Sequence, residues 1–350
     1  IIDLIDVVVP DQSEIETFNE VYLIMPKMET TLAKVIQSKQ NLTDRHLQFF
    51  LYQILRGLKL ITQHTLLFLL VDNLFVLSKK EDKPENILVN GADCEVRITD
   101  FGLARGVSKE DEVGKPTEYV VTRWYRSPEV MCSAGMYDEA VDIWSVGCIM
   151  AELILRKPLF PGQNCFVIVF YLDQLKIIFD TMGTPKDLEW IKTPEAKRWV
   201  QKLKPHDGKD LQKVFEKASD KARDLLLKML TLDPKYRITA VQSLEHPWLS
   251  DLHREQDEVT CPKFDLSFEF EKSITTKFGV RHMMYEALTN YKQQEMTKQK
   301  SRYIKKKKSH NQDEAGSKKP EKVEEKENED EDEEEEEEQP DKTQNDTTQE

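Results

Sequence analysis

Residues 97–129 constrain this chain more than any other stretch. They read R-I-T-D-F-G-L-A-R from Arg97, then T-E-Y-V-V-T-R-W-Y-R-S-P-E from Thr117 to Glu129. Asp100-Phe101-Gly102 has the form of a metal-holding aspartate on a turn. Thr117 and Tyr119 are two hydroxyls in a polar loop, and Ser127-Pro128-Glu129 closes that loop about thirty residues after the aspartate. Three residues alone recur by chance. The ordered set at this spacing does not.

With 350 residues the chain can hold one large domain or two small ones around a sizeable core. Lys+Arg 50 against Asp+Glu 64 leaves a net charge of -14, which argues against nonspecific nucleic-acid binding as the main role. The five cysteines form no C-x-x-C pair, and the odd count fits a reduced cytosolic or nuclear protein. Cys148, inside W-S-V-G-C-I-M-A-E-L, reads as core filler rather than a nucleophile. The apolar stretch 65–77 includes Asp72 and Asn73 and falls short of the roughly 20 residues a spanning helix needs. No membrane association is expected. No signal peptide is visible, and the start at Ile1-Ile2-Asp3 without a methionine reads as a fragment.

The pattern places secondary structure as follows. V-Y-L-I-M at 21–25 reads as a buried strand ended by Pro26. Thr43-Asp44 opens an amphipathic helix, R-H-L-Q-F-F-L-Y-Q-I-L-R-G-L-K. Short strands at 87–89 and 96–99 flank the turn Asn90-Gly91. Helices dominate from 140 to about 249. From about residue 292 the chain is expected to be disordered: aromatic and branched residues nearly vanish around a basic block at 305–308 and an acidic run containing 333–338. The basic block is either a nuclear-localisation signal or a solvated tail.

The activation-loop set resembles that of a mitogen-activated protein (MAP) kinase, and T-E-Y is similar to the extracellular-signal-regulated subtype. The resemblance runs from residue 1 to about 290. It implies an α+β protein kinase-like fold: a mainly helical large lobe, remnants of the small β lobe, and the disordered tail. The boundaries are a small-lobe and hinge remnant at 1–28, a large lobe at 29–250, a C-terminal extension at 251–291 and the tail at 292–350.

The resemblance also assigns roles. In V-Y-L-I-M-P-K-M-E-T, Met25 matches the gatekeeper and Met28 the hinge residue whose backbone binds adenine; both are equally read as core packing. K-P-E-N-I-L-V-N resembles the second half of the catalytic loop, with Lys83 near the transferred phosphate. Asn86 and Asp100 would hold Mg2+ on the phosphates of ATP. Thr117 and Tyr119 would be phosphorylated by an upstream dual-specificity kinase, with Arg123 and Arg126 binding the phosphotyrosine and Arg105 the phosphothreonine. Asp142 would tie down the catalytic-loop backbone, and Arg237 would pair with Glu129. Residues 189–222 match a helical insert. In L-H-R-E-Q-D-E-V, Asp257 and Glu258 match an acidic docking site for protein partners, although Arg254 replaces another acid and the charges are also readable as plain surface.

Three departures stand against this pattern. The glycine-rich loop, the strand lysine and its glutamate partner are absent from the chain. Where the family has H-R-D-L before K-P-E-N, this chain has Lys79-Lys80-Glu81-Asp82, so the base is Glu81 in register, or Asp82 with a one-residue deletion. Apolar surpluses around T-L-L-F-L-L-V-D-N-L-F-V-L and at C-F-V-I-V-F interrupt the familiar spacing. They read as retained introns or, alternatively, as true insertions.

The resulting expectation is a monomeric serine/threonine kinase, cytoplasmic or nuclear, proline-directed, binding neither nucleic acid nor membrane. The alternative is a pseudokinase that keeps a docking role and has lost transfer chemistry.

Overall fold

The computed structural model describes residues 1–8, 20–62, 66–67, 86–99, 105–106, 123–132, 138–162, 169–258 and 276–315; for 62, 66–67, 105–106, 169–171 and 298–315 it describes the backbone. In chain order the elements are β1 (Asp6–Val8), β2 (Tyr22–Ile24), β3 (Thr30–Thr31), α1 (Leu32–Gln37), α2 (Asp44–Thr62), β4 (Leu66–Leu67), β5 (Ile87–Val89), β6 (Val96–Ile98) and β7 (Arg105–Gly106). Then follow α3 (Pro128–Cys132), α4 (Ala140–Leu155), α5 (Val169–Met182), α6 (Pro194–Gln201), α7 (Leu211–Val214), α8 (Asp220–Met229), α9 (Ala240–Leu244) and α10 (Lys277–Ala315). The chain divides into two units, Ile1–Tyr285 and Glu286–Glu350.

The first unit is built on two helices. Along α2 the buried residues Leu47, Phe50, Leu51, Ile54, Leu55, Leu58 and Ile61 recur every three or four positions, one apolar face packed on α4, α9 and β6. Helix α4 has no polar face: all residues from Val141 to Leu153 are buried. It runs through the core, Trp144 stacking on Phe160 with ring centroids 5.6 Å apart. Gly147 lets α4 meet α8 closely, because a Cβ there would lie 2.9 Å from Leu230 Cδ2 and 3.0 Å from Met229 Cβ. Helix α4 ends at Arg156, whose backbone is left-handed at φ 60 and whose N–H donates to the Glu152 carbonyl at 2.7 Å. The Arg156 guanidinium then donates to the Ser38 and Gln40 carbonyls, both at 2.7 Å, and so fastens the loop after α1.

The stretch His246-Pro247-Trp248 is tied back to α2 and α8. His246 Nδ1 accepts from the Trp248 N–H at 3.2 Å, and its Nε2 lies 2.8 Å from Asp224. Trp248 donates its indole N–H to Asp44 at 3.0 Å, while Gln48 donates to the Trp248 carbonyl at 2.6 Å. Both bonds pin residues near 248 to the first turns of α2.

Two expectations need correction. The strand at 21–25 forms as β2, antiparallel to β1, but it is not buried: Tyr22, Leu23 and Ile24 are all exposed. Among the described residues its sheet has two strands; Val7 of β1 is buried while the β2 side chains stay exposed, so β-propensity survives in β2 without burial. Structure also continues past residue 292, since α10 is helical to Ala315. Lys, Gln, Glu and Met favour a helix, and no glycine or proline falls between Gly279 and Gly316. Residues 316–350 lie outside the described residues.

Candidate active site

A three-stranded antiparallel sheet, β3-β5-β6, lies beside Met28 and Asn86 in the chain, Met28 two residues before β3 and Asn86 directly before β5. Thr30 faces Val89 and Thr31 faces Leu88; Ile87 faces Ile98 and Val89 faces Val96. Ile87, Val89, Val96 and Ile98 are buried, so one face of the β5–β6 hairpin is fixed on the core. At the open end of the hairpin the Thr99 N–H donates to the Asn86 carbonyl at 3.0 Å. Asn86 therefore stands across from the residue that precedes Asp100. Met28 lies two residues before β3 and is half-buried, whereas Met25 is exposed, which removes the core-packing reading for Met25.

Glu81, Asp82, Lys83, Asp100, Thr117 and Tyr119 lie outside the described residues. The Arg105 backbone is in β7, paired with Leu67 of β4. Arg123 is half-buried and Arg126 buried, on a turn closed by the Arg126 N–H donating to the Arg123 carbonyl at 3.2 Å. That turn is held at two points. Trp124 donates its indole N–H to the Gly162 carbonyl at 2.6 Å, and Tyr125 donates its hydroxyl to the Glu152 carboxylate. Ser145 adds a bond to the Tyr125 carbonyl at 3.1 Å. Burial pushes the Glu152 carboxyl up, and the Tyr125 hydroxyl only partly offsets this.

Glu129 and Arg237 meet as expected, in a buried ion pair of 2.5 Å. Arg237 also donates to the Ala140 carbonyl at 2.7 Å and the Thr231 carbonyl at 3.0 Å, and its guanidinium lies 5.2 Å from the Trp144 ring centroid. Asp142 is fully buried in the first turn of α4. Cys148 is buried and its thiol pushed well up by that burial, consistent with core filler.

The two acids near the end of the first unit differ. Asp257 is exposed, and its backbone carbonyl accepts from Arg56 of α2. Glu258 is buried, with Lys59 at 2.6 Å on one oxygen and His253 Nδ1 at 2.7 Å on the other. Burial raises its carboxyl, yet the bonds from Lys59 and His253 win and hold it below the ordinary value. Lys59 and Arg156 had no signal in the sequence, because their partners lie 116 to 199 residues away along the chain.

The protein kinase domain family matches residues 1–249. The chain is a protein kinase of the mitogen-activated group. It is 39% identical over 287 residues to mitogen-activated protein kinase 6 of Oryza sativa subsp. japonica, covering 81% of this chain and 70% of that one. Against mitogen-activated protein kinase 4 of Arabidopsis thaliana the identity is 39% over 292 residues, 83% of this chain and 71% of the relative. Mitogen-activated protein kinase mpkA of Aspergillus fumigatus is 43% identical over 282 residues, 79% of this chain and 62% of the relative. As a MAP kinase this chain is a serine/threonine protein kinase, a transferase that works on ATP with a divalent cation and has protein substrates and upstream kinases as partners.

Proposed function

We propose that this MAP kinase binds Mg2+-ATP between Met28 and the Asn86–Asp100 pair and transfers the γ-phosphate to serine or threonine, those followed by proline. The observation that supports the reading is the 3.0 Å bond from the Thr99 N–H to the Asn86 carbonyl, which holds the end of K-P-E-N beside the residue that precedes D-F-G in the sequence. An amide oxygen and a carboxylate suit a hard cation. Bound there, the ion would neutralise charge on the phosphates. Lys83 would add a positive charge near the transferred group, and Glu81 or Asp82 would accept the substrate proton.

Phosphorylation of Thr117 and Tyr119 would activate the chain, with Arg123 and Arg126 positioned on an anchored turn to take one phosphate and Arg105 the other. A T-E-Y signature of the extracellular-signal-regulated kind agrees with this. Asp257 is the exposed member of the docking pair, and a basic motif of a protein partner would engage it first. We further propose a monomer acting in the cytoplasm or nucleus.

A pseudokinase with a docking role is favoured by one observation, K-K-E-D where the family has H-R-D-L. A positioned base contributes about 10²–10⁴ in rate, and a displaced carboxylate forfeits much of that. One experiment separates the two readings: thermal shift with ATP and Mg2+, followed by phosphate transfer to a proline-directed peptide. Binding with transfer supports the kinase, and binding without transfer supports the pseudokinase. No Mg2+-dependent shift would overturn the proposed site.

A further inference from the structure

The residue that follows Met28 is Glu29, and nothing in the motif pattern assigns it a role. Its carboxylate reaches across the sheet, Oε2 accepting the Gly91 N–H at 2.8 Å. We propose that Glu29 is a positioning residue for nucleotide binding, fixing the spacing between the adenine-binding hinge and the cation-binding residues; this rests on the placement of Met28, Asn86 and Asp100 proposed above.

Strand β3 joins the hinge to β5 through just two facing pairs, Thr30 with Val89 and Thr31 with Leu88. So short a strand is a weak lock on register. A slip of one residue would move Met28 by about 3.3 Å along Asn86 and its neighbours. Glu29 supplies a third tie at the residue next to Met28. Its anchor is itself held: the Asn90 N–H donates to the Glu95 carbonyl at 3.0 Å, closing the turn. From α2, Gln53 donates to the Cys94 carbonyl at 3.0 Å and accepts from the Val96 N–H at 2.9 Å. The Asn90-Gly91 turn is thus fixed to the core by Gln53 and to the hinge by Glu29. Gly91 is what admits the carboxylate, because a Cβ there would lie 2.7 Å from Glu29 Oε2.

The full chain is titrated calorimetrically with adenosine and with ATP, each with and without Mg2+. In Glu29→Ala, adenosine affinity should stay within about twofold, since the hinge backbone is intact, while the Mg2+-dependent gain for ATP falls about threefold to tenfold. Gly91→Ala, which displaces the carboxylate without removing it, should do the same. The double variant should be no worse than either single one, and Glu29→Gln, which keeps an acceptor oxygen, should retain most of the gain. Circular dichroism checks that each variant is folded, and Gly91→Ala carries the test should Glu29→Ala fail that check. An unchanged Mg2+ gain in both variants overturns the inference. So does an equal loss for adenosine and ATP, which marks a merely structural bond. Absence of any Mg2+ gain in the unsubstituted chain is a different result: it overturns the cation site, and this inference with it.

Discussion

Arg237 and Glu129 stand 108 residues apart and meet in a side-chain pair that solvent barely reaches. Every direction of the guanidinium is used: both oxygens of Glu129, three backbone carbonyls and the Trp144 face. The pair joins the end of the activation segment to the loop after α8, so it fixes where the R-W-Y-R turn ends.

Removing one partner leaves the other charge buried. Arg237→Ala should cost about 3–5 kcal/mol in urea unfolding, against a far smaller cost for a well-packed apolar replacement of both residues. Equal losses in the single and double variants would count against the account.

The Glu258 carboxyl is raised by burial but lowered further by Lys59 and His253, and the net value lies below the ordinary 4.5. A carboxyl depressed in the folded state stabilises it above the unfolded value and loses that contribution as pH falls through the folded value. The Tm difference between the unsubstituted chain and Glu258→Gln should be largest near neutrality and shrink on acidification below about pH 4.5. A difference that stays constant with pH contradicts this.

Gly147→Ala raises helix propensity, yet its Cβ would press on Leu230 and Met229 at 2.9 and 3.0 Å. Overpacking of this kind costs about 1–3 kcal/mol, more than the roughly 1 kcal/mol gained from alanine in a helix. Thermal unfolding should show a lower Tm. A higher Tm means the α4–α8 contact can relax.

Thiol chemistry should follow burial. Burial, with Glu129 nearby, pushes Cys132 up to about 12, and Cys148 is raised well above its ordinary value. Among the cysteines described, Cys94 is the half-exposed one. Brief alkylation at pH 8 followed by peptide mass spectrometry should label Cys94 and spare Cys132 and Cys148, and denaturant should equalise all three.

Local pattern carried much of this protein. The 3.6-residue spacing of Leu47, Phe50, Leu51, Ile54 and Leu58 defined α2, and Asn90-Gly91 marked the hairpin turn. D-F-G, R-W-Y-R and S-P-E marked the activation segment, because phosphate and metal chemistry admits few residue types in that order. Apolar content misjudged β2, since a run of apolar residues reports a strand whether or not its side chains end up buried. Composition pointed to disorder from about residue 292, whereas the backbone is helical to Ala315, a stretch of residues that favour a helix.

Tertiary structure alone decided the rest. Lys59 with Glu258, Arg156 with Ser38 and Gln40, and Glu29 with Gly91 are contacts between residues 62 to 199 positions apart, or 116 to 118 in the case of Arg156. Each needs a charged group to end beside a partner that only the packing of α2, α4 and the β3-β5-β6 sheet brings near. Periodicity and motifs are local properties of a chain, whereas a charge is satisfied by whatever the fold places within hydrogen-bond reach.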